Sequence, residues 1–401
     1  MVDIWPFKGT RPYNQDAKNL IAPSTDHLSI ENIEIFKKNN YWNYLKILNP
    51  VGQLKEKDSL FEARAHFNEM KENNVIKKDT NLNFYIYQIE LGKHKQIGFL
   101  SLVSVDDFTN NKIKAHEKIY ESRKMERAEQ MLNIKTQIGP IYVSFKTNKR
   151  IENLILAKIS SSPSYDFESF DKSVHKLWCI NDINFIKELK KLFLDVKSLY
   201  IADGHHRIGA MQYINKLSQN KKKILDGKLM VAAFPSNQTK IFDYNRVVKD
   251  LNGLSPNEFI KILSNNFNIK KSYKPYKPAK KNQFGMYHEK QWYVLDFIGS
   301  IKKNNFIDSL DINIINNFCL VKVLNIKDVN NDERIRFIAG CHGLKALENK
   351  VDANPDSVAF SIFPSDITDV IRVADNNLTM PPKSTWFDPK PLDGLVVYEF
   401  N

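Results

Sequence analysis

The chain has 401 residues, enough to bury a real core in two domains or in one elaborated domain. Its hydrophobic content of 42% and aromatic content of 11% exclude a disordered chain, and no run of about 18 apolar residues offers a membrane span. The formal charge of +13 draws anions in general. Lysines are scattered from end to end and arginine is scarce, which suits an anionic small molecule better than a nucleic acid.

Residues 1–28 read as irregular, broken by Pro6, Pro12 and Pro23, and the first residues lack the basic region and apolar stretch of a secretory signal. The opening Pro6-Phe7-Lys8-Gly9-Thr10-Arg11-Pro12 offers Lys8 and Arg11 to an anion, or forms a structural arm. Helices are predicted over 29–40 and 59–74, and paired strands over 84–91 and 97–105. The stretch 113–135 predicts one long polar helix carrying His116-Glu117 at its start. Spacings of three and four would put His116, Tyr120, Arg123 and Arg127 on one side. Strands follow at 141–145 and 177–180, then a helix at 184–196.

The next stretch is Leu199-Tyr200-Ile201-Ala202-Asp203-Gly204-His205-His206-Arg207. It reads as a buried strand that turns at once into a helix, whose periodicity is Ile208, Ala210, Met211, Ile214 and Leu217. A helix N-terminus leaves backbone N–H groups open and attracts anions. Here the turn adds a carboxylate, two imidazoles and a guanidinium. Asp203 could cap the helix or hold Mg²⁺, Arg207 could grip a phosphate, and His205 and His206 could donate hydrogen bonds to phosphate oxygens. Adjacent histidines with no cysteine pair nearby do not suit zinc.

Dense lysine clusters stand at Lys221-Lys222-Lys223 and over 270–281, the latter a candidate domain boundary. Strands are predicted at 229–234, 242–248, 292–297, 335–339, 358–363 and 395–400, with helices at 312–324 and 364–374. The loop Met380-Pro381-Pro382-Lys383-Ser384-Thr385 is stiffened by two prolines. It presents an ammonium and two hydroxyls to a phosphate, or is a rigid turn over a buried Trp386 and Phe387. Cys179, Cys319 and Cys341, sparse and odd in number, fit reduced thiols in a cytoplasmic core. The fold class is α+β, mixed sheets with interleaved helices.

The opening 6–12, His116-Glu117 with Gly139-Pro140, the 200–207 turn, Tyr244-Asn245-Arg246-Val247-Val248, and 380–390 with Gly394-Leu395 together resemble the domain-of-unknown-function 1015 family, over nearly the whole chain. The Asp203-Gly204-His205-His206-Arg207 turn also resembles the signature of the ParB/sulfiredoxin-like superfamily, which includes partition proteins, sulfiredoxins and free-serine kinases. Two places depart from the pattern. Lys114 and Ala115 precede the His-Glu pair where two basic residues are favoured, and the early segment is Ala22-Pro23-Ser24-Thr25-Asp26.

The resemblance implies a ParB/sulfiredoxin-like phosphate- and nucleotide-binding domain over 1–272 and a C-terminal α+β domain over 273–401. It implies phosphoryl transfer on a small hydroxylated metabolite, serine or phosphoserine, with ATP or ADP and Mg²⁺. Glu117, His116, Asp203 and His205 would be catalytic, with Asp203 at the metal. Gly204, His206, Arg207, Arg127, Lys383, Ser384, Thr385, Lys8 and Arg11 would hold phosphate or nucleotide. The alternative is a ParB-like nucleotide-dependent DNA-binding or regulatory protein, although no recognition helix is evident. A sulfiredoxin-like reaction would need a cysteine where His205 and His206 stand.

Overall fold

The computed structural model describes residues 1–13, 17–22, 30–48, 56–220, 226–301 and 306–400. The cluster Lys221-Lys222-Lys223 and residues 23–26 of the early segment lie outside them. The chain forms two compact units: Met1–Thr239 with Pro389–Asn401, and Lys240–Asp388.

The first unit is built on an eight-stranded sheet. Its strands are β1 (Phe84–Leu91), β2 (His94–Ser104), β3 (Ile113–Lys114), β4 (Ile141–Phe145), β5 (Tyr165–Glu168), β6 (Val174–Ile180), β7 (Leu199–Asp203) and β8 (Lys228–Pro235). They lie in the order β3-β7-β4-β8-β2-β1-β6-β5. Alternation gives the sheet two faces. Val143, Phe145, Leu199, Ile201, Val231 and Ala233 share one apolar core with the helices Glu121–Ile134, Lys149–Leu156, Ile183–Phe193 and His205–Asn220. Most pairs are antiparallel, but β3 runs parallel to β7 (Leu199 opposite Ile113, Tyr200 opposite Lys114), and β4 runs parallel to β8. Parallel neighbours end at the same edge of a sheet, so the chain leaves β3 and β7 side by side.

This corrects the long helix expected over 113–135. Ile113–Lys114 is a strand, residues 115–120 are a loop, and the helix begins at Glu121. His116 and Glu117 therefore stand in a loop, not on a helical face with Arg123 and Arg127. Ile113 is buried against the sheet core and pairs with Leu199, and that tertiary pairing overrides the local helix propensity of a Lys/Glu-rich stretch.

The second unit is a six-stranded antiparallel sheet. Its strands are β9 (Tyr244–Val248), β10 (Phe267–Ser272), β11 (Gln283–His288), β12 (Gln291–Phe297), β13 (Ile335–Ala339) and β14 (Val358–Ile362), in the order β10-β12-β11-β14-β9-β13. Its helix Pro256–Leu263 is opened by a Ser255–Glu258 capping box, and Ile367–Asp375 by an Asp366–Asp369 box. Both strands that flank 270–281 bond to β12. A division at 272/273 would split this sheet, so the expected boundary moves to 239/240, and the last residues return to the first unit. Among the cysteines Cys319 is buried, Cys179 half-buried and Cys341 exposed, so a common core location fails for Cys341. Among the described residues, no helix is long and apolar enough to cross a membrane.

Arg246 on β9 is fully buried in the second unit. Its Nη2 donates to the carbonyls of Pro382 (3.3 Å) and Lys383 (3.0 Å), and its guanidinium lies 5.0 Å from the Phe337 ring. It is the internal anchor of the 380–385 loop. Arg246→Met is expected to leave those carbonyls unpaired and to cost about 2 kcal/mol. Urea unfolding followed by Trp386 fluorescence checks this, and an unchanged midpoint would show the loop is held by other means.

Candidate functional site

The apolar strand β7 delivers a polar turn through one irregularity. Ile201 pairs with Val143, but Asp203 pairs with the adjacent Tyr142, so Ala202 is an extra residue in the ladder. Paired residues share a face, and Val143 and Tyr142 point to opposite faces. The bulge therefore swings Asp203 away from the apolar side that Ile201 occupies. Gly204 follows with φ +99°, a conformation that costs a side chain strain, and its carbonyl accepts the Ile208 N–H to begin the helix. The N–H groups of His205, His206 and Arg207 thus form the first turn of the helix, where no carbonyl of its own helix reaches them.

The loop after β3 meets this turn. The His116 and His205 rings stand edge to face with centroids 4.6 Å apart, both buried. The Glu117 carboxylate lies 3.8 Å from His116 Nε2 and 3.5 Å from His205 Nδ1, and 40% of its side chain is exposed. Burial lowers both imidazoles: His116 to about 3, with His205 beside it adding to the effect, and His205 to about 4 against the pull of Asp203. At neutral pH both are uncharged. His116 also hydrogen-bonds the Ile201 backbone. His205 Nε2 is buried without a hydrogen-bond partner among the described residues, which places its proton on Nδ1, toward Glu117. His206 accepts the Tyr120 N–H at Nε2 (3.2 Å) and stacks on the Tyr120 ring at 6.0 Å.

A third strand of chain completes the cluster. Residues 389–393 return from the second unit's end of the sequence, and Lys390 Nζ lies 3.2 Å from Asp203 Oδ1. Burial alone would raise the Asp203 carboxyl, but Lys390 and Arg207 outweigh it and hold it at about 2. Arg207 donates from Nη1 to the Pro140 carbonyl (2.6 Å) and from Nη2 to Asp393 (3.3 Å). Gly139 is required here, since a Cβ would lie 2.0 Å from Asp393 Oδ1 and 2.5 Å from Arg207 Nη1. Burial lowers the Arg127 guanidinium, and its neighbours Arg207 and Arg123 lower it further. Burial raises the Asp393 carboxyl, against the pull of Arg207 and Arg127. Around this cluster the cations Arg123, Arg127, Arg207 and Lys390 face the carboxylates Glu117, Glu126, Asp203 and Asp393.

The family described as protein of unknown function (DUF1015) matches residues 4–313. The chain belongs to the DUF1015 family. Among solved structures, SbnI with C-terminal truncation from Staphylococcus aureus shares 12% identity, with 73% of this chain and 85% of that one covered at a TM-score of 0.40. A free serine kinase in complex with AMP shares 12% identity over 77% of this chain and 94% of that one, at 0.35. At these TM-scores they are likenesses only. No curated protein matches the chain.

In this DUF1015 member, Glu117, His116, Asp203, Gly204, His205, His206, Arg207 and Arg127 come together as one cluster. Arg11 does not join them; its charge is spent on Asp79 (2.8 Å) and on Tyr165, and Lys8 is exposed beside it in sequence. Lys383, Ser384 and Thr385 belong to the second unit. There the Ser384 hydroxyl donates to the Pro381 carbonyl and Lys383 Nζ lies 5.6 Å from the Tyr244 ring. A resident Mg²⁺ does not fit Asp203. Its carboxylate answers Lys390, and among the described residues no three His, Cys, Asp or Glu are grouped to hold a metal ion. Sequence reasoning missed Lys390 as a partner of Asp203 and missed Asp393 altogether. The one local signal was a polar stretch, 388–394, punctuated by Pro389 and Pro391.

The neutral histidines set a pH dependence. Between about pH 6.5 and 4 the unfolded chain binds protons that buried His116 and His205 refuse. Stability therefore falls as pH falls through that window, by up to about 1.4 kcal/mol per unit for each histidine. The Asp203 contribution is lost only at lower pH, from its ordinary value near 3.8 toward 2. Denaturation midpoints from pH 7 to 4 should fall in the wild type and flatten in His116→Asn and His205→Asn. A profile that both variants leave unchanged would show that these imidazoles titrate normally.

Proposed function

We propose that this protein is a nucleotide-dependent phosphotransferase acting on a small hydroxylated metabolite, with serine and phosphoserine the first compounds to try. The observation that carries the reading is Glu117. It is a partly exposed carboxylate beside two buried uncharged imidazoles, at the start of the helix that His205 opens, next to the Lys390–Asp203 pair. Phosphoryl transfer asks chiefly for positioning and for neutralisation of phosphate charge. The His205 Nδ1–H faces the carboxylate without cancelling its charge, so Glu117 can take the proton of an acceptor hydroxyl as that hydroxyl oxygen bonds to the terminal phosphorus. The bond to the leaving nucleoside diphosphate oxygen breaks in the same transfer.

In this reading the N–H groups of His205 and His206 and the Lys390 ammonium hold phosphate oxygens. Arg207, anchored on Pro140 and Asp393, contributes field and position instead of a direct grip. The ParB/sulfiredoxin-like resemblance of the 203–207 turn supports ATP or ADP as the phosphate carrier. A divalent cation would travel with those phosphates, since the protein's own donors do not form a cage for it.

Purified protein incubated with serine, phosphoserine, ATP and ADP, followed by phosphorus NMR, is expected to show transfer. Glu117→Gln should lower turnover on the order of 10²–10⁴-fold, and Lys390→Met on the order of 10²–10³-fold. Turnover that survives both substitutions removes this assignment. An absence of turnover, joined to a salt-sensitive DNA shift, moves the weight to the ParB-like binding alternative.

A further inference from the structure

The first unit buries a second polar chain that the reaction does not use. Asp171 Oδ1 accepts the Ser173 backbone N–H (3.0 Å) and lies 2.5 Å from Ser173 Oγ. Ser173 Oγ lies 2.6 Å from His175 Nε2, and His175 Nδ1 lies 2.7 Å from the Tyr87 hydroxyl. The Tyr87 oxygen in turn accepts the Leu392 backbone N–H at 3.2 Å. Ser173 and His175 are completely buried and Tyr87 nearly so. Phe167 stacks on the His175 ring at 5.7 Å.

With Asp171 ionised, one arrangement of protons satisfies every link. The carboxylate can only accept, so the Ser173 hydroxyl donates to it. Ser173 Oγ then accepts from His175 Nε2–H, which leaves Nδ1 bare to accept the Tyr87 O–H. The Tyr87 lone pairs are turned to the Leu392 N–H. Burial keeps His175 uncharged down to about 4, with Asp171 the opposing pull, and burial raises the Tyr87 hydroxyl, so neither group breaks the order at neutral pH. Leu392 lies between Lys390 and Asp393, the residues that answer Asp203 and Arg207. Around it Pro389 accepts from Gln96, and the Asp393 carbonyl accepts the Ala22 N–H.

We propose that Asp171, Ser173, His175 and Tyr87 form a buried positioning relay that fixes the 389–393 segment at Leu392. The relay thereby holds Lys390 against Asp203 and Asp393 against Arg207. Its bearing on chemistry rests on the phosphotransferase reading of the site. As a hold on the segment it stands on the hydrogen bonds alone. A linked chain of this kind polarises and orders itself, so the far end feels the loss of the near one.

The test uses the full chain, with Tyr87→Phe and Ser173→Ala as variants that change no ring or backbone volume, and thermal unfolding to confirm the fold. Nitrogen NMR of the His175 ring should show the proton on Nε2 in the wild type, with that preference lost in Ser173→Ala. Amide hydrogen exchange at Leu392 and Asp393 should quicken on the order of tenfold in Tyr87→Phe, and to a lesser degree in Ser173→Ala, while the central sheet amides stay unchanged. A wild-type proton on Nδ1, or exchange at Leu392 that Tyr87→Phe leaves untouched, overturns the relay. Calorimetry with ADP and with inorganic phosphate separates the two ideas. Quickened exchange together with weakened ADP binding supports both. Quickened exchange in a protein whose wild type binds neither probe upholds the relay and sinks the phosphotransferase reading.

Discussion

The parallel pairing of two strands, one of only two residues, is the constraint on which the site depends. Ile113 opposite Leu199 and Lys114 opposite Tyr200 oblige the chain to leave both strands at one edge. His116-Glu117 is then delivered onto the start of the helix that begins at His205. Crevices beyond the carboxyl ends of parallel strands are a common location for ligands in sheets with covered faces. Here the first unit reaches that arrangement inside an otherwise mostly antiparallel sheet. The bulge at Ala202 adds the second condition, since without it Asp203 would point into the apolar core beside Ile201.

The cluster's electrostatics follow from burial. The two imidazoles beside Glu117 are kept neutral and bring it no positive charge. The cations Arg123, Arg127, Arg207 and Lys390 lie around the turn, and the downward shift of Arg127 comes first from burial and then from Arg207 and Arg123.

The sequence made the 199–207 segment legible because three signals change within nine residues: an apolar run, a glycine-centred polar turn, and a helical period. The same logic failed at 113–135. That stretch contains no glycine or proline to interrupt it, and its lysines and glutamates are good helix formers, so only the partner strand reveals that Ile113 is sheet. Asp393 was out of reach for a different reason: it meets Arg207 across 186 residues of sequence, and nothing local marks a carboxylate as the counter-ion of so distant a guanidinium. Arg11 shows the opposite error. Its setting among prolines suggested an anion site, yet Asp79 and Tyr165 had already claimed it. In the second unit, prolines and lysines at 270–281 imitated a linker, whereas both strands beside them bond to β12.

The return of 389–400 to the first unit has a consequence for biosynthesis. A nascent chain that has just cleared Thr239 already carries Glu117, both buried imidazoles and the whole of the helix after Gly204. It still lacks the ammonium for Asp203 and the carboxylate for Arg207. Those arrive only after the entire intervening unit has been translated, so a product cut off before them leaves Asp203 without Lys390 and Arg207 without Asp393.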